Sequence, residues 1–212
     1  CQSLAHTEVD VKDLNIDFLA GSGHKLCGPT GIGFLWSREE ILDKMPPLFG
    51  GGEMIEDVSE EKSTWADLPH KFEAGTPAIG EAIGLSEALK YINKLGLNNI
   101  QTYEKEITEY LFEKLLAIKD VNIIGPNPNQ DSKRASLASF FVKNIHSNDI
   151  AEILDSKGVC IRSGHHCCQP LHKYLKIKST ARVSMNFTTT KNDIDIFIEK
   201  LKETISFLKI NA

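Results

Sequence analysis

Between residues 121 and 208 the hydrophobic pattern changes period repeatedly, and this constrains the fold more than any other feature of the chain. Residues 121–124 and 138–142 are short strand-like apolar runs. Residues 147–157 have helical spacing, with Ser147 in the N-cap position. Residues 159–161 and 180–187 are strand-like again, the second as an alternating run. Ile194, Phe197, Ile198, Leu201 and Ile205 then fall on one face of a helix over 191–208. Strands and helices mixed over such short distances predict a compact α+β unit.

The preceding part reads differently. Apolar runs at 16–20 and 32–36 flank the glycine-rich segment GSGHKLCGPTG, giving strand, loop, strand. Residues 46–75, with Gly50, Gly51 and Gly52 in a row and no sustained period, predict a long functional loop. Ile79, Ile83, Leu85, Leu89 and Ile92 predict a helix over 79–95 closed by Gly96, and a second helix follows over 98–118. The boundary is therefore placed to give domains 1–118 and 119–212.

Several classes of function are excluded. The 24 basic residues are interspersed among 29 acidic ones, for a net charge of -5, which disfavours nucleic acid as a partner. No run approaches the roughly 20 apolar residues of a membrane span, so no membrane role is expected. The opening residues CQSLAHTEVD lack the pattern of a secretory signal and an initiator methionine, so a cytosolic or organelle-interior chain, cut or processed at its start, is expected. Five cysteines, an odd number, are expected to be reduced thiols.

Two motifs carry chemistry. Ser22, Gly23, His24 and Lys25 follow a strand in a loop of small residues. A lysine there either is a solvated surface charge or forms a Schiff base with an aldehyde cofactor, with serine and histidine holding a phosphate. The spacing of GPTGIG does not make a dinucleotide fingerprint. The second motif is Arg162, Ser163, Gly164, His165, His166, Cys167, Cys168, Gln169, Pro170 in a polar turn. A thiol among imidazoles and a guanidinium suits a reactive cysteine, since the thiolate is the nucleophile. Zinc ligation by Cys167, Cys168, His165 and His172 and simple burial are the competing readings. For Cys27 and Cys160 burial as small apolar groups is expected.

Arg182 interrupts the alternation of TARVSMNF, so it either faces solvent or binds an anion, for which a bidentate carboxylate is the natural partner. Thr76 in KFEAGTP offers a hydroxyl before a helix start, as a phosphate ligand or a plain N-cap. His6, His70 and His146 are read as surface residues without a role.

Taken in order, SGHKLCGPTGIG, KFEAGTP, RSGHHC followed by QPL, and ARVSMNF resemble the group II, SUF-type cysteine desulfurases, also called selenocysteine lyases, over nearly the whole chain. The resemblance implies an α/β fold-type I enzyme that uses pyridoxal 5'-phosphate. Residues 1–118 would be the C-terminal part of the cofactor-binding large domain, and 119–212 the small α+β domain carrying the catalytic cysteine. It implies Lys25 as the Schiff-base lysine and Cys167 as the sulfur-accepting nucleophile. Gln2 would bond the cofactor's phenolic oxygen, and Ser22 and His24 its phosphate. Thr76 would reach the phosphate of a partner subunit in a homodimer. Arg182 would hold the substrate carboxylate, with Arg162 nearby. The implied substrate is L-cysteine or selenocysteine. The implied partner is a sulfur-acceptor protein of iron–sulfur cluster assembly, in the bacterial cytoplasm or the plastid stroma. Family members are longer, with cofactor-holding residues before the position of Cys1, so the chain alone is expected to hold the cofactor poorly. A different aminotransferase or lyase using the same cofactor, or a non-catalytic zinc-binding domain, are the alternatives.

Overall fold

The computed structural model describes residues 1–128 and 134–210 and divides into two compact units, Cys1–Ile100 and Gln101–Ala212. The first contains β1 (Phe18–Ser22), β2 (Gly33–Ser37), the single-turn α1 (Glu39–Leu42), β3 (Ile55–Val58), β4 (Ser63–Trp65) and α2 (Ile79–Leu95). Helix α3 (Leu97–Leu116) spans the changeover. The second unit continues with β5 (Val121–Ile124), β6 (Leu137–Val142), α4 (Ser147–Ser156), β7 (Arg162–Gly164), α5 (Gln169–Tyr174), β8 (Thr180–Ser184) and α6 (Lys191–Ile210).

The second unit is built on one sheet in the order β5–β6–β8–β7, antiparallel throughout. Its register sorts side chains by face, because alternate residues of a strand point to opposite sides. Val121 opposite Val142, Ile123 opposite Phe140, and Phe140 opposite Ala181 lie on the apolar face. Against it pack Ile107, Leu111, Phe112 and Leu115 of α3, Ile150 and Leu154 of α4, and Phe197, Ile198 and Leu201 of α6. Ser139 opposite Arg182 and Arg182 opposite Arg162 lie on the other face. Tyr103 Oη donates to the Thr189 carbonyl at 2.8 Å, fastening α3 to the turn before α6. The Arg134 guanidinium lies 4.5 Å from the centre of the Phe112 ring and donates to the carbonyls of Ile124 and Pro126, holding the ends of the β5–β6 connection together.

In the first unit, β1 and β2 form an antiparallel ribbon with Phe18 opposite Ser37 and Ser22 opposite Gly33. Between them lies a 3-10 turn, Gly23–Leu26. Helix α2 packs on that loop, so closely that a Cβ at Gly28 would lie 2.9 Å from Leu85 Cδ1. Gly96, with φ of 84°, closes α2 where expected.

Several expectations are corrected. Residues 46–75 are not a bare loop: they hold the β3–β4 hairpin and a 3-10 turn at His70–Phe72. All four β3 residues are exposed, so no burial alternation marks the strand in the sequence. Val159 and Ile161 pack against the core as expected of a strand, yet the paired residues are the polar Arg162–Gly164. Strand β8 ends at Ser184, short of 187. The N-cap of α4 is His146, whose Nδ1 accepts from the Asn148 amide at 3.2 Å. Ser147 is instead buried and hydrogen bonded to Ser179 at 2.7 Å. Helix α2 begins after Ala78, so Thr76 is not its N-cap. Cys27 and Cys160 are exposed rather than buried. Cys27 sits in the left-handed residue that ends the 3-10 turn, and the Cys160 thiol donates to Asp155 at 3.2 Å.

Phe140 is fully buried at the centre of the sheet, with its ring centroid 6.4 Å from that of Phe197. Phe140→Ala is expected to cost about 3–5 kcal/mol by urea unfolding, and a cost under about 1 kcal/mol would contradict this account of the core.

Candidate active site

In the first unit the chain start and the glycine-rich loop come together. The 3-10 turn Ser3–Ala5, which follows Gln2, packs against the turn Gly23–Leu26. Ser22 Oγ lies 3.5 Å from Cys1 Sγ. Gly23 is required where it stands, since a Cβ there would meet Ile32 Cγ2 at 2.8 Å and the Ile32 carbonyl at 3.0 Å. This close loop presents exposed His24 and half-buried Lys25 in succession. No hydrogen bond or ion pair joins the Lys25 amine to another described residue. Thr76 is exposed, in a loop tied down by the Gly75 amide on the Gly52 carbonyl at 2.9 Å.

The second unit gathers the other motif residues. Strand β7 runs into a turn in which His166 (φ 51°) and Cys167 (φ 59°) are both left-handed, a conformation that costs a side-chain-bearing residue about 1–2 kcal/mol. The turn leaves Cys167 exposed. Arg162, Ser163, His165, His166, Cys167 and Gln169 line an open hollow of about 480 Å³. Beside it Arg182 stands directly opposite Arg162 on the neighbouring strand, and the Arg182 Nε is buried without a hydrogen-bond partner among the described residues. Like charges placed opposite one another across a ladder are destabilising, and a buried unpaired guanidinium nitrogen more so. A bound anion would offset both costs.

A hydrogen-bonded relay that the sequence did not reveal lies under the turn. His172 is buried, and its Nδ1 lies 3.0 Å from the Cys168 carbonyl. A carbonyl only accepts, so Nδ1 donates, and in the neutral ring Nε2 accepts from Thr180 Oγ1 at 3.1 Å. The hydroxyl proton is thereby used. His166 Nε2 then donates to Thr180 Oγ1 at 3.0 Å and to the Thr180 carbonyl at 3.2 Å. His166 Nδ1 is left as an acceptor, buried and without a partner among the described residues. Burial first, then the charge of Arg182, holds the His166 pKa below the ordinary histidine value, with His172 and Arg162 acting in the same direction and the bond to Thr180 against them.

The same relay bears on the zinc alternative. Both nitrogens of His172 are engaged within the protein, and among the described residues no three histidine, cysteine, aspartate or glutamate side chains are placed to hold one metal ion. Cys167 and Cys168 are free thiols, as are Cys1, Cys27 and Cys160.

Comparison with known proteins sets this geometry in a family. Residues 1–197 match the model of the class-V aminotransferases, and the chain belongs to that family. It is 51% identical over 207 residues to a probable cysteine desulfurase of Synechocystis, covering 98% of this chain and 49% of that protein. A probable cysteine desulfurase of Staphylococcus epidermidis is 48% identical over 206 residues, again 49% of that protein. Among solved structures, the apo cysteine desulfurase of Thermococcus onnurineus aligns with a TM-score of 0.90 at 41% identity, over 97% of this chain and 51% of that one. The cysteine desulfurase CsdA of Escherichia coli aligns with a TM-score of 0.89 at 34% identity, over 97% of this chain and 50% of that one. The chain thus has the expected fold-type I α/β architecture and spans about half the length of the curated relatives it matches.

Because folding depresses the His166 pKa, the unfolded chain binds the more protons as pH falls through the ordinary histidine range, and stability is lost there. An NMR titration is expected to place the His166 midpoint below that of a histidine in an unstructured peptide. A midpoint at or above that reference would contradict the assigned environment.

Proposed function

We propose that this chain is the lysine- and cysteine-bearing part of a cysteine desulfurase, removing sulfur from L-cysteine or selenium from selenocysteine to leave L-alanine. The single observation that carries the proposal is the grouping of Cys167, Arg162 and Arg182 in the second unit. There a nucleophilic sulfur and the Arg162 cation line one hollow, and Arg182, opposite Arg162 on the neighbouring strand, has a buried guanidinium nitrogen with no hydrogen-bond partner among the described residues. The near-half identity to probable cysteine desulfurases supports the same reading.

The residues of the first unit fit pyridoxal 5'-phosphate. The Lys25 amine is unengaged among the described residues, and Ser22 and His24 beside it offer a hydroxyl and an imidazole suited to a phosphate. Lys25, Ser22, His24 and Gln2 would hold the cofactor, with Thr76 supplied to the phosphate of a second subunit in a homodimer. When bound, the cofactor supplies an aldehyde that engages amino groups and a ring that takes up the electron pair released at the substrate α-carbon. The first unit would accordingly form the C-terminal part of the cofactor-binding domain. Phe34 and Leu35, adjacent in β2 and therefore on opposite faces of the ribbon, are both exposed, as expected of strands belonging to a larger sheet.

The roles of the chain's own groups follow from their chemistry. Arg182 binds the substrate carboxylate, with Arg162 as second donor. The Lys25 amine takes and returns a proton at the α-carbon. Cys167 Sγ attacks the substrate sulfur, and the carbon–sulfur bond breaks with its electrons left on carbon, which is protonated. Cys167 is then a persulfide and the three-carbon remainder leaves as L-alanine. The exposure of Cys167 suits onward transfer of that sulfur to an acceptor protein of iron–sulfur cluster assembly, in a bacterial cytoplasm or a plastid stroma.

In the full-length protein, Cys167→Ser is expected to abolish sulfide release from L-cysteine while the absorbance of the bound cofactor is kept. Alanine formation at the wild-type rate in that variant would contradict the assignment. Arg182→Leu is expected to raise KM for L-cysteine by about 10- to 100-fold, the scale of a lost hydrogen bond to a charged group. An unchanged KM would remove Arg182 from the substrate site.

A further inference from the structure

The relay beneath the hollow brackets Cys167. On one side His166 is fastened through Nε2 to Thr180, and on the other the Cys168 carbonyl is fastened through His172 Nδ1. Both fastenings meet at one atom, Thr180 Oγ1, which accepts from His166 and donates to His172. Thr180 is itself fixed, 2% exposed and paired in the sheet through Gly164. Two successive residues with side chains at positive φ do not stay so without support. Apart from the relay, the backbone bonds at the turn run from the Cys168 amide to the His165 carbonyl at 2.8 Å and, longer, from the His172 amide to the Cys168 carbonyl at 3.3 Å.

We propose that Thr180 and His172 are positioning residues for Cys167: neither touches the reacting sulfur, and together they hold the left-handed turn that presents it to the hollow beside Arg162. The inference rests on the reading of Cys167 as the sulfur acceptor and deepens it, because it assigns the reactivity of that thiol to a buried hydroxyl and a buried imidazole on two other elements. His172 is thereby given a part as the middle of a relay rather than as a metal ligand. Thr180 acts through its hydroxyl, so serine would serve and an isosteric valine would not.

The test is alkylation by iodoacetamide of the folded protein, with the rate at each cysteine read by mass spectrometry. In the wild type Cys167 is expected to react faster than exposed Cys1, Cys27 and Cys160. Thr180→Val and His172→Phe are each expected to slow Cys167 about tenfold, on the order of one lost hydrogen bond, while the other three keep their rates. Thr180→Ser is expected to restore the wild-type rate at Cys167. Circular dichroism checks the fold, and should Thr180→Val fail to fold, His172→Phe, which keeps the bulk of the ring, carries the same comparison. A selective wild-type Cys167 that is unaffected, or quickened, in a folded variant would overturn the positioning roles alone. A wild-type Cys167 no faster than the other thiols would overturn the reading of Cys167 itself, and the positioning roles with it.

Discussion

The pairing of β7 with β8 is the constraint on which the chemistry of the second unit depends. It sets Arg162 opposite Arg182 and Gly164 opposite Thr180, so two cations and the anchor of the cysteine turn share one face of the sheet. Three residue pairs could not maintain such an arrangement by themselves, with like charges opposed and a guanidinium nitrogen unpaired. The stability comes from the opposite face of the same sheet. There Ala181 lies against Phe140, both fully buried, and the side chains of α3, α4 and α6 close over them. One face carries the burial and the other the charge.

This division of labour explains why the cysteine turn can adopt a conformation that is unfavourable in itself. His166 and Cys167 are left-handed, but each neighbour of Cys167 is secured to an atom that does not move freely. Under the proposed function Cys167 has to be exposed, to accept an atom from a substrate and pass it on, and exposed segments are ordinarily mobile. The relay through Thr180 and His172 gives an exposed residue the definition of a buried one. Depression of the His166 pKa by burial and by Arg182 keeps a further positive charge out of the neighbourhood of the two arginines.

Much of the fold was legible in the sequence where elements are long and periodic. The helix at Ile79–Leu95, its glycine cap, the strand at Val121–Ile124 and the helix beginning at Lys191 stand where the spacing of apolar residues puts them. Elements whose residues are chosen for pairing or for function were not legible. The hairpin at Ile55–Val58 and Ser63–Trp65 buries none of the four residues of its first strand, and β7 is made of Arg162, Ser163 and Gly164 rather than the apolar residues just before it. The six-residue α5, with proline in its first turn, is too short for a period to show.

For the site, motif order pointed to Cys167, Arg162 and Arg182, and the strand register shows the two arginines facing each other. The part of Thr180 was invisible, since a threonine eight residues from a histidine carries no signal until the sheet brings them to 3.1 Å. Cys27 and Cys160 were misread because apolar character was taken as burial, whereas turn geometry in one case and a carboxylate neighbour in the other hold the thiol outside. The most direct test of the whole account is to incubate the full-length protein with L-cysteine and pyridoxal 5'-phosphate, digest it without reductant, and locate added sulfur by fragmentation mass spectrometry. The account predicts one extra sulfur atom on Cys167. Alanine formation with no extra sulfur, or with the extra sulfur on a different cysteine, would contradict it.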